Sequence, residues 1–248
     1  MNAFTASGAL PSHPPSITKP ETREHATFLG APVGDLEDLA PGDIALAGLF
    51  MEHGDPSGFG ARFAARQIRY ASRPAYGMAP GPLPPSGRVA GRSRLFDVGD
   101  LNVFPLEPER QRAALERQLT ALLATGACAV VVGGAMCLHE IAATAAARLH
   151  GSRTLRAVVL RAEASTPPLP DAGDLFVTLD VAGLFAAAPA PRPKARLLEA
   201  IRSLPARRVR AAHLCGLAPD LDLSGRHDTA AATLMLAALV RHLGAEAW

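Results

Sequence analysis

Glu163 and Asp180 are the two carboxylates that the pattern of this chain brings to neighbouring strand ends, each at or just past an apolar run that reads as a β-strand. Carboxylates so placed could hold one hard divalent cation such as magnesium, with Cys137 and His139 nearby after a third apolar run. Arg161 points to a different outcome, because a guanidinium beside two carboxylates forms a salt bridge where a cation would otherwise sit. The other candidates are weaker. His139-Glu140 lacks the second histidine of a metal-binding HExxH helix. His53, next to Gly54, is a loop residue at a strand end, the usual place for substrate contacts. His213 falls on the last strand and reads as a core imidazole, while Asp228 of the His227-Asp228 pair opens a helix and is placed to meet its exposed amides. Ser57 and Ser224 have no visible His or Asp partner. Cys128, Cys137 and Cys215 make an odd count inside apolar segments, which suits buried free thiols in a reducing cytoplasm.

The elements that must position these residues alternate. Apolar runs at 43–49, 94–98, 127–132, 155–160, 175–181 and 207–214 read as strands, several without alternation, as in a parallel sheet covered on both faces. Helical patterns lie between them: 58–69, a stripe of Leu115, Leu119, Leu122 and Leu123 behind Pro108, an Ala-rich run at 138–149, a stripe of Leu197, Leu198, Ile201 and Leu204 behind Pro193, and 229–243. Parallel crossovers of about a dozen residues give one α/β domain, a three-layer αβα sandwich with a mainly parallel sheet. Residues 1–40 are rich in Pro, Ser, Thr and Gly and read as an arm, with the domain at 41–248. Residues 73–93 read as a long surface loop. Ligands in such sheets gather beyond the carboxyl ends of the strands. Beyond Val132 that position holds Gly133, Gly134, Ala135, Met136 and Cys137, an apolar tip.

Composition excludes several classes. A hydrophobic content of 48% supports a sizeable core, and a formal net charge of +2 with one Trp and two Tyr gives no nucleic-acid surface. No apolar run approaches the length of a membrane span and no signal-peptide order is present, so a cytoplasmic protein is expected.

Five segments, in order, carry a resemblance. Gly60-Ala-Arg-Phe-Ala-Ala-Arg-Gln-Ile-Arg69 is similar to the GARFGPRAIR segment of the ureohydrolases, the arginase and agmatinase superfamily, and Asp97-Val-Gly-Asp-Leu-Asn-Val103 to their DxGD stretch. Val132-Gly-Gly-Ala-Met-Cys137 falls where that family has GGDHS, Thr178-Leu-Asp-Val-Ala182 where it has SxDxD, and Cys215-Gly-Leu-Ala-Pro219 where it has E-x-x-P; beside these five, the family's DAHxD falls on Arg161-Ala-Glu-Ala-Ser165. Members hydrolyse guanidino groups with two manganese or nickel ions sharing one activated water, held by six His and carboxylate ligands.

Carried over position by position, that ligand set is nearly gone. Met136 stands for a His and Ala135 for the Asp before it; Arg161, Glu163 and Ser165 stand for Asp, His and Asp; Ala182 stands for an Asp; and Gly216 stands for the catalytic Glu. Only Asp180 is retained. The connection from Arg161 to Asp174 is also too short and Pro-rich for the further strand and helix that members carry there, so fewer than the family's eight strands are expected.

The resemblance therefore implies a metal-less, non-catalytic subunit with no cofactor of its own. Such a subunit would assemble as a hetero-hexamer or other hetero-oligomer with a catalytic ureohydrolase paralogue holding nickel or manganese, as in heteromeric biguanide (metformin-type) hydrolases. Two alternatives stand beside it: a hydrolase with a relocated site around Glu163, Asp180, His139 and Cys137, and a small-molecule regulatory module.

Overall fold

The computed structural model describes residues 26–52, 60–72, 88–90, 93–104, 106–134, 138–150, 155–161, 167–184, 191–218 and 227–245. Their sheet has seven strands: β1 (Ile44–Leu49), β2 (Arg88–Ala90), β3 (Ser93–Leu101), β4 (Cys128–Val132), β5 (Leu155–Arg161), β6 (Asp174–Asp180) and β7 (Val209–Cys215), in the order β2-β3-β1-β4-β7-β6-β5. All neighbours are parallel except the short β2, which pairs antiparallel with β3. Five helices cover the two faces: α1 (Ala64–Ala71), α2 (Pro108–Ala124), α3 (Leu138–His150), α4 (Pro191–Ser203) and α5 (His227–Ala245).

Alternate side chains of each strand feed two cores. On one face Ile44, Leu46, Val130, Val177 and Leu214 meet α1, α4 and α5; on the other Ala45, Ala47, Val131 and Phe176 meet α2 and α3. This is the expected three-layer αβα sandwich. β1 and β4 are buried at every position, which is why their sequences carry no polar alternation. The α2 stripe behaves as its spacing implies: Leu115, Leu119 and Leu122 are fully buried, each worth about 1.5–3 kcal/mol relative to exposure.

The six expected strands are present within a few residues, and the described residues hold seven strands in all. Three details differ. β3 runs on through Gly99 to Leu101, because a bulge, with Gly99 at φ 84°, absorbs the extra residue opposite β1. The stretch read as a surface loop over 73–93 contains β2 and the start of β3. The arm drawn over 1–40 extends too far: Phe28, Leu29, Ala31 and Leu39 are buried, and Val33 bridges to Asp97 on the outer side of β3. Proline-rich sequence hid this docking, since two short 3-10 turns (Phe28–Gly30 and Leu36–Asp38) place the apolar side chains without a helical or strand period. Between β5 and β6 no strand occurs among the described residues. Among the described residues no helix is long and apolar enough to cross a membrane.

Candidate functional site at the strand ends

Parallel register brings the strand ends into one rim. Arg161 lies opposite Asp180, Asp180 opposite Cys215, and Leu214 opposite Val132, so β5, β6, β7 and β4 finish side by side. On this rim Arg161 Nε donates to Asp180 Oδ2 at 3.1 Å, with the Asp180 side chain 13% exposed and that of Arg161 50% exposed. The second carboxylate oxygen, Oδ1, accepts the Ala182 N–H at 3.1 Å. Both oxygens of the retained aspartate are therefore engaged, one by a fixed positive charge.

Gly216 closes the rim from the other side. Its φ is +84°, and a Cβ there would lie 2.6 Å from Asp180 Oδ1 and 2.8 Å from the Ala182 backbone nitrogen. Neither contact is tolerable, and the backbone one cannot be relieved by a rotamer change. A glutamate at this position does not fit the present turn. Gly133 and Gly134, at φ +89° and +77°, turn the chain tightly against Leu49, whose side chain would sit 2.6 Å from a Cβ on Gly134. His213 is fully buried beneath them with Nε2 2.8 Å from the Gly133 carbonyl oxygen, a core imidazole that fastens the turn.

Of the sequence-derived site residues, Arg161 and Asp180 meet as a pair, Ala182 and Gly216 touch that pair, and His139 lies half-buried in the first turn of α3. Ala135, Met136, Cys137, Glu163, Ser165, His53, Ser57 and Ser224 lie outside the described residues. Among the described residues a divalent pair fits this rim poorly: the one carboxylate is bound to a guanidinium, and its described neighbours are glycine, alanine and a buried thiol. Among the described residues no three His, Cys, Asp or Glu side chains gather. Cys128 and Cys215 are buried free thiols, and burial pushes the Cys128 thiol up to about 12, far from a nucleophile.

A second charged cluster was missed as a unit, although both of its segments are conspicuous in the sequence. Arg69, at the end of the Gly60–Arg69 stretch, donates from Nε and Nη2 to the two oxygens of Asp97 (2.9 Å each), from Nη2 to the Gly99 carbonyl (2.9 Å) and from Nη1 to Asp100 Oδ1 (2.5 Å). Asp97, buried with 1% of its side chain exposed, also accepts the Phe28 and Gly99 N–H groups. The Phe28 ring lies under the guanidinium, 4.1 Å away. Residues 97 and 100 of an unbroken strand would face opposite ways; the bulge at Gly99 turns both carboxylates to α1. Gly48 leaves the room, since a Cβ there would be 2.1 Å from Asp100 Oδ1. Burial pushes the Asp100 carboxyl up from its ordinary value and Asp97 adds to the rise, against the pull of Arg69. The signal was available: a helical Arg and an Asp-x-Gly-Asp strand end, both in the segments most similar to the ureohydrolases.

Comparisons with known proteins agree with this fold. The arginase family matches residues 42–164. No curated protein matches the chain in sequence. Among solved structures, proclavaminate amidino hydrolase from Streptomyces clavuligerus superposes with a TM-score of 0.66 at 18% identity, covering 88% of this chain and 97% of its own. A hypothetical agmatinase from Burkholderia thailandensis gives 0.67 at 17%, covering 88% and 90%. A manganese-containing formiminoglutamase from Trypanosoma cruzi gives 0.64 at 15%, covering 89% and 99%. At such identities the likeness is one of fold, and the fold is that of the ureohydrolases.

Proposed function

We propose that this chain, with its ureohydrolase fold and its arginase-family match over residues 42–164, is a metal-less, non-catalytic subunit that assembles with a catalytic ureohydrolase paralogue. The observation that carries the reading is the Arg161–Asp180 ion pair on the rim where ligands would stand. A cation held there would have to displace a guanidinium covalently tethered to the adjacent strand, and would then find a single carboxylate among the described residues. Gly216 supports the same reading, because a glutamate at that position, which would move a proton, does not fit the present turn. Nickel or manganese belongs, on this reading, to the partner, which supplies all of the hydrolytic chemistry on linear amidines such as guanidino compounds or biguanides. A cytoplasmic hetero-oligomer follows from the same reading. What this chain contributes is surface and order: a rigid parallel sheet whose well-packed cores are kept while the reactive rim is filled.

Co-expression with a catalytic ureohydrolase paralogue that carries all six ligands tests the proposal. The two chains are expected to copurify, with Mn or Ni stoichiometric to the partner and absent from this chain purified alone. Metal bound at about one ion per isolated chain and lost on Asp180→Ala overturns it. So does a partner that turns over its guanidino substrate equally well without this chain.

A further inference from the structure

The two edges of the sheet are treated differently. The outer side of β3 is covered twice, by β2 at residues 93 and 94 and by the bridge from Val33 to Asp97, with the Gly34 N–H donating to the Asp97 carbonyl and the Asp97 N–H to the Pro32 carbonyl. At the opposite end of the sheet β5 pairs with β6 alone, and among the described residues no strand covers its outer side. A seven-residue parallel strand thus offers a row of backbone N–H and C=O groups sideways.

The chemistry of this edge is one-sided. β5 reads Leu-Arg-Ala-Val-Val-Leu-Arg: Leu155, Val158 and Leu160 are buried, Ala157 and Arg156 are exposed, and there is no acidic residue. Arg161 already holds Asp180, whereas no carboxylate among the described residues pairs with Arg156. The neighbouring α4, which packs against β5, exposes Lys194, Arg196 and Arg202 against a single exposed acid, Glu199.

We infer that the outer edge of β5 is a docking edge that accepts an extended, acidic segment of another protein chain as an eighth strand. It rests on the reading of this protein as an assembling subunit, and names the chemistry by which the partner is held. Backbone pairing supplies most of the adhesion, and carboxylates opposite Arg156 and α4 supply register and selectivity. A second copy fits less well, since two-fold pairing of β5 with itself brings four arginines into one short ladder, where like charges oppose pairing. The chain's own residues 1–25 fit less well too: Pro11, Pro14, Pro15 and Pro20 break up any donor ladder.

The full chain can be titrated with a fluorescein-labelled peptide alternating Glu and Val, and with its Lys and Val counterpart, while hydrogen exchange is followed at residues 155–161. The acidic peptide is expected to bind at least about tenfold more tightly than the basic one and to slow exchange in β5. Arg156→Glu abolishes the preference and Arg156→Lys keeps it, with circular dichroism confirming that both variants are folded. Equal binding of the two peptides, or protection confined to other elements, overturns the inference. It is also overturned if the β5 edge is already protected in the free chain, either in a dimer by light scattering (a second copy) or in a monomer that loses protection on removal of residues 1–25. Copurification with the paralogue that survives Arg156→Glu sinks only this inference; its complete absence, with peptide binding intact, sinks only the subunit reading.

Discussion

Two arginine–aspartate pairs stand on this sheet, and they do different work. Arg69–Asp97 is enclosed: the guanidinium is 12% exposed, the carboxylate 1%, and every Asp97 lone pair has a donor. Arg161–Asp180 has one contact between its charges and half of the arginine side chain in solvent. The first knits helix α1, strand β3 and the chain around Phe28 into one body. The second neutralises a carboxylate at the rim. The same residue types therefore make an enclosed structural cluster in one place and a half-exposed surface pair in the other, and what decides is the number of fixed donors around the acid.

The comparison breaks most severely at Arg69. Arg69→Met leaves a buried carboxylate without its cation, and unfolding in urea is expected to show a loss of about 3–5 kcal/mol. Next comes Gly48→Ala: a methyl 2.1 Å from Asp100 Oδ1 forces that carboxylate off Nη1 of Arg69, a loss of about 1–3 kcal/mol by the same measurement. A smaller effect concerns pH. Because the folded state raises the Asp100 value above its ordinary 3.8, its contribution is fully present below that pH and is lost as the pH rises through the folded value. The stability of the natural protein relative to Asp100→Asn should accordingly fall with rising pH in the acid range. Smallest of all is Arg161→Ala, which is expected to change stability by no more than about 1 kcal/mol. If Arg161→Ala proves as damaging as Arg69→Met, the two pairs are alike and the rim is structural.

The fold was legible because burial writes itself into composition. β1 and β4, buried on both faces, leave uninterrupted apolar runs, and the leucines of α2 recur at helical spacing. Residues 26–40 escaped because their buried side chains follow 3-10 turns and a single bridge, which have no period to detect. The Arg161–Asp180 pair could be foreseen, since two strand ends in parallel register put neighbouring termini side by side. The Arg69 cluster could not be assembled in the same way: it depends on a bulge that reverses the facing of Asp100, and a bulge costs one residue that sequence alone does not mark. Gly99 was its one trace.

Gly216 limits which substitutions this rim can accept, and in what order. At φ +84° the backbone there favours glycine, and the space a side chain would need is taken by Asp180 and the main chain of Ala182. Adding carboxylates to this rim one codon at a time would therefore meet an obstacle at 216, because a glutamate there would first strain the turn that carries it.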